Sequence, residues 1–134
     1  MIYSTLISEL GHTFLEVEYD ETVPCVVMHW LGFSSTEDLK KGMEEGLHLL
    51  QEKKLSKWIA DASKMEGGFT EANDWLEQDW TPRAIKAGLM HVAFVQSPDL
   101  FNEFSTQEYA ERNADLENPH FTSLEVAKQW IKLR

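Results

Sequence analysis

The residues best equipped for chemistry lie in one stretch, Lys57 to Gly88, where Asp61, Ser63, Lys64 and Glu66 follow a short apolar run and lead into Gly67-Gly68-Phe69. A carboxylate two residues before a hydroxyl suits a polar docking loop. The ordinary alternative is that both side chains satisfy backbone donors as Asx- and Ser-type turns. A phosphate on Ser63 would add about two negative charges beside Asp61 and Glu66 and so repel a docked partner, as a release signal could, unless Lys64 or a helix amino end offset them. A second cluster pairs Asp79 with Arg83 across Pro82. Its guanidinium, among Trp58, Trp75 and Trp80, could orient an anionic or polar ligand, or it could clamp a broken helix to the sheet. Asp61 is expected to approach this pair if the helix folds back over the strand end.

The remaining reactive side chains do not assemble into a catalytic or metal pattern. His12, His29, His48, His91 and His120 are dispersed, with no two at ligand spacing on one helix. Cys25 sits in the apolar run Val23-Pro24-Cys25-Val26-Val27-Met28 with no base beside it, so packing is its expected role. Glu44-Glu45, Glu77 with Asp79, and Glu108 with Glu111 read as solvated charge on polar helix faces. Gly67-Gly68 lacks the lysine a nucleotide loop requires. The chain is therefore expected to be non-catalytic and to need no cofactor and no metal.

These residues must be positioned by the fold of 134 residues, enough to bury roughly two thirds of the unfolded surface within one domain. Twenty-three acidic and twelve basic side chains give a formal charge of -11, which repels phosphate backbones and argues against nucleic acid. The lone cysteine fits a reducing cytoplasm. No segment reads as a signal peptide or approaches the roughly twenty apolar residues of a membrane span, so a soluble cytoplasmic protein without stable membrane insertion is expected.

Alternation over Ile2 to Ser8 and His12 to Tyr19 predicts two antiparallel edge-side strands, and Val26 to Leu31, apolar on both faces except for His29, predicts a central one. Leu39, Met43, Leu47 and Leu50 predict a helix over about Ser35 to Lys53, with Ser34 and Glu37 at capping-box spacing. Gly42 and Gly46 lie one turn apart inside it, where each costs about 1 kcal/mol relative to alanine. Close approach of the helix to the sheet is the favoured explanation over a flat surface for a partner or ligand.

Trp58 to Ala60 predicts a buried strand closed by Asp61, after which Thr70 opens a helix with Ala72, Leu76 and Trp80 on one stripe. Pro82 predicts that Thr81 leaves helical geometry and caps a second short helix ended by Gly88. Val92 to Val95 reads as a strand, Ser97-Pro98-Asp99 opens a helical stretch with a second capping box at Ser105 and Glu108, and His120 to Thr122 is a short strand. The final helix starts at Thr122 or Ser123 and is expected to turn Val126, Trp130 and Leu133 inward. Three strands followed by helices and strands in alternation predict one α/β domain, a mixed sheet of about five to six strands flanked by about four to five helices.

The order of elements, the strand Trp58-Ile59-Ala60-Asp61 and the phrase Trp80-Thr81-Pro82-Arg83-Ala84-Ile85-Lys86-Ala87-Gly88 resemble a group of small bacterial proteins with the STAS-like fold, that of sulfate-transporter and anti-sigma factor antagonist domains. The resemblance spans nearly the whole chain. It implies a regulatory or protein-interaction domain in which a serine after the central strand, here Ser63, is phosphorylated by a kinase partner that binds the unmodified form. In those antagonists the turn runs directly into a helix, whereas here Asp61 to Gly68 intervenes. The expected interaction loop is Asp61, Ser63, Lys64, Met65 and Phe69. The alternative, also suggested by the resemblance, is a small-molecule or lipid-binding module whose apolar pocket is lined by Met43, Met65, Met90, Phe69, Phe101 and Phe104. An exposed apolar patch over a solid core would favour the first and an enclosed cavity the second. Trp-rich helices and strand edges make a homodimer a further expectation.

Overall fold

A computed structural model describes residues 1–134. One six-stranded sheet runs in the order β1 (Ile2–Ile7), β2 (Thr13–Asp20), β3 (Cys25–Gly32), β4 (Lys57–Met65), β5 (His91–Val95), β6 (His120–Phe121). The first two pairings are antiparallel and the other three parallel, so the sheet is mixed as expected. Tight turns make the antiparallel half. Asp20 accepts hydrogen bonds from the amides of Thr22 and Val23, folding the chain from β2 into β3. Parallel strands require crossovers, supplied by α1 (Thr36–Glu52), a composite helix over residues 70–86 and α4 (Leu100–Arg112), while α5 (Leu124–Lys132) follows β6.

Helices and sheet enclose two cores. The larger holds Trp30, Trp58, Trp80, Leu39, Leu47, Leu50 and Tyr109, joining α1, the composite helix and α4 to one face of the sheet. The smaller, under α5, holds Cys25, Val27, Ile59, Ala93, Val95, Ala127 and Ile131. The α1 glycines are explained by the larger one. A methyl group on Gly42 would lie 2.6 Å from Leu15 and 2.7 Å from Trp30, and one on Gly46 would collide with Trp58 and stand 2.7 Å from Met28. The missing side chains let the helix lie directly on the tryptophans.

Several sequence expectations are corrected. Asp61 does not close β4; the strand continues to Met65, so Asp61, Ser63 and Lys64 are strand residues rather than loop residues. Asp61 stands opposite His29 but Lys64 opposite Leu31, so β4 carries an extra residue there, a bulge that alternation in sequence does not disclose. The composite helix does not break at the proline. It passes from a 3₁₀ turn (Thr70–Ala72) through α2 (Asn73–Trp75) and a π turn (Leu76–Trp80) into α3 (Thr81–Lys86), with Thr81 helical at φ -61°, ψ -44°. The wide π turn ahead of Pro82 accommodates the missing amide and the ring without ending the helix.

Caps and faces shift as well. Ser35, not Ser34, caps α1, accepting from the Asp38 amide. Asp99 caps α4, and Ser105 lies inside that helix rather than opening one. Ser123 caps α5, whose inward residues are Ala127 and Ile131; Val126 and Leu133 are exposed. Of the three residues expected to face inward, Trp130 does pack against the smaller core, partly buried beside Phe121. Only β1 of the first pair is an edge; β2 is interior. β1 also carries two register irregularities, at Ile2/Ser4 and Leu6/Ile7.

Candidate functional site

The bulge and register of β4 assemble a polar chain across three strands that no single segment announces. His29 on β3 lies between Glu18 of β2 and Asp61 of β4: its Nε2 is 2.7 Å from Glu18 Oε1 and its Nδ1 3.1 Å from Asp61 Oδ2. Carboxylates only accept, so bonding both at once requires both ring nitrogens to donate, as they do in an imidazolium. The Asp61 hydrogen bond raises the His29 pKa against the opposing effect of burial, and Glu18 adds to the rise. For Asp61, burial pushes upward, but hydrogen bonds from His29 and from the Ser63 hydroxyl and amide outweigh it and lower its pKa.

Ser63 Oγ donates to Asp61 Oδ1 at 2.6 Å, and the Ser63 amide donates to the same oxygen at 3.1 Å. A carboxylate held low by an imidazolium is a poor base, and His29 makes no hydrogen bond to Ser63. The order serine, carboxylate, histidine, carboxylate therefore braces the strands rather than activating a nucleophile. In sequence, the one clue was a single histidine in an otherwise apolar strand.

The second cluster is a clamp. Arg83 grips Glu44 of α1 with both terminal nitrogens and Asp79 through Nε at 2.7 Å, tying the composite helix to α1. Asp61 does not join it, because its partners are His29 and Ser63. Glu77 and Glu108, expected to be merely solvated, meet Arg112 together with Asp74. Cys25 is fully buried, and burial pushes its thiol up to about 12. No group of three histidine, cysteine or carboxylate side chains is arranged so that it could hold a metal ion.

The expected interaction loop is divided. Ser63 and Lys64 are exposed and Met65 is buried in the larger core. Phe69 is half-buried at the floor of a groove of about 940 Å³ lined also by Phe33, Ser34, Thr36, Glu71, Leu100, Phe101, Phe104 and Ser105. The groove lies beyond the carboxyl ends of β3, β4 and β5, the crevice position of open parallel sheets. Its rim is apolar and open: Phe33, Leu100, Phe101 and Phe104 are 60%, 77%, 77% and 62% exposed.

The groove wall is pinned. Asp99 accepts from the Gly67 amide at 3.0 Å, chiefly through which its carboxyl pKa is lowered. Asn102 Nδ2 donates to the Gly67 carbonyl at 3.0 Å, the Phe69 amide donates to Ser105 Oγ at 2.8 Å, and Ser97 Oγ donates to the Met65 carbonyl at 2.7 Å. Gly67 takes φ +77°, and a methyl on Gly68 would lie 2.8 Å from Ser105 Oγ, so this glycine pair is required by the close seat on α4.

Of the residues expected to line an apolar pocket, Met43, Met65 and Phe69 border an interior space of only about 50 Å³, Phe101 and Phe104 belong to the open groove, and Met90 is exposed and borders neither. Three buried side-chain oxygens have no hydrogen-bond partner, Ser34 Oγ, Asn73 Oδ1 and Asn102 Oδ1, and of these residues Ser34 borders the groove. No helix is long and apolar enough to cross a membrane. No family model, curated protein or solved structure matches this chain.

Proposed function

We propose that this chain is a non-catalytic protein-interaction domain of STAS-like type, docking its partner over the groove at the carboxyl ends of β3, β4 and β5. The observation that carries the reading is the contiguous apolar rim, Phe33, Leu100, Phe101 and Phe104, standing in water beside a filled interior. Apolar surface of this kind on a folded chain is stabilised by being covered. The lipid-pocket alternative is supported less well, because the interior space of about 50 Å³ holds a water or two and no acyl chain.

Ser63 is the regulatory element of this reading. Its hydroxyl is accessible, and a phosphate there would replace the proton donated to Asp61 with a dianion facing that carboxylate. The resulting repulsion loosens the bulged end of β4, which feeds directly into the groove wall at Met65 to Phe69.

The test is selection from a random peptide display library on the intact protein and on a Phe101→Ser/Phe104→Ser variant, whose changes fall on exposed α4 positions. Peptides bearing large apolar side chains should be enriched by the wild type and not by the variant. Equal enrichment by both, or none by either, overturns the reading.

A further inference from the structure

We infer that the segment seated in this groove is apolar at its centre and cationic at its flanks, a stretch of a protein partner in which large aliphatic or aromatic side chains are bordered by lysine or arginine. The inference rests on the docking reading above and adds the partner's chemistry. Four phenylalanines and one leucine define the apolar part of the groove, and aromatic faces favour both aliphatic side chains and cations. Among the lining residues there is one carboxylate, Glu71, and no lysine or arginine.

Helix amino ends usually attract anions, and three helices begin around this groove. Here each is already compensated. Ser35 caps α1, which carries Glu37 and Asp38 in its first turn; Glu71 lies in the 3₁₀ turn; Asp99 caps α4, with Glu103 following. The positive ends are thus neutralised by the chain's own acids, and a further anion would meet carboxylates. With a formal charge of -11 on the whole chain, an anionic lipid surface or an acidic segment is repelled and a basic one is steered in.

Fluorescence anisotropy with synthetic peptides tests this on the full-length protein, using one leucine- and phenylalanine-rich core flanked by lysines, by glutamines or by glutamates. The lysine-flanked peptide should bind tightest, by about three- to tenfold over the glutamine-flanked one at low salt, with the gap closing as salt is raised. Glu71→Gln should narrow that gap. Binding that ignores the flanks, or prefers glutamate, overturns the inference and leaves the docking reading standing. Lysine-dependent binding that survives in Phe101→Ser/Phe104→Ser also overturns it, since a generally acidic surface would then be the reader. No binding of any peptide overturns both.

Discussion

Replacing His29 by glutamine should cost about 2 kcal/mol of stability near pH 5.5 and much less near pH 9. Two charge-assisted hydrogen bonds are lost, each of which contributes about 1.5–3 kcal/mol when shielded. Shielding is partial: the side chains of His29, Glu18 and Asp61 are 21%, 23% and 12% exposed, so the Glu18 bond falls toward the roughly 0–1 kcal/mol of a surface pair while the Asp61 bond keeps most of its strength. Glutamine restores one neutral hydrogen bond, which gives the net figure of about 2 kcal/mol.

The pH dependence has a fixed sign. His29 has a raised folded-state pKa, so its contribution is complete below the unfolded value of about 6.5 and disappears as pH rises through the folded value. Asp61 has a lowered pKa, so its contribution is complete above the unfolded value of about 3.9 and disappears as pH falls through the folded one. Glu16 and Lys64 face the same cleft, and the Met1 amine stands 3.7 Å from Glu18. All three are common to wild type and variant and cancel in the difference. Urea unfolding followed by tryptophan fluorescence at both pH values gives that difference. A wild-type advantage that stays constant, or grows with pH, would refute an imidazolium shared between two carboxylates.

Gly46→Ala should destabilise by about 1–3 kcal/mol despite alanine's better helix propensity, because its methyl meets Trp58 and Met28; urea midpoints would show it, and a stabilised variant would contradict the close approach of α1. Cys25 should resist alkylation at pH 8 in the native protein and react only on unfolding, at a rate that mass spectrometry can follow, since burial pushes its thiol up to about 12.

What was legible in the sequence is what local pattern controls. Alternation, the continuous apolar run of β3 and the spacing of Leu39, Leu47 and Leu50 placed the mixed sheet and α1, and the misfit of Gly42 and Gly46 pointed to the close contact. The Ala72, Leu76 and Trp80 stripe is likewise buried. What was hidden depends on how strands and turns meet. The His29 and Asp61 pairing follows from parallel register between residues 32 apart, and the bulge that returns Ser63 to Asp61 is a backbone event with no side-chain signature. Pro82 looked like a stop because proline rules describe an α-helix, whereas a π turn changes which carbonyl it meets. The groove gathers the ends of three strands and the starts of three helices, so Phe33, Phe69 and Phe101 become neighbours only through topology.

The irregular β1 and the two-residue β6 have a consequence for behaviour at high concentration. Each rim of the sheet lacks a long, flat run of free amides and carbonyls onto which another molecule could add in register. The folded chain is thereby guarded against strand-by-strand growth into fibrils, and concentrated solutions should stay clear of thioflavin-positive assemblies for as long as the native state persists.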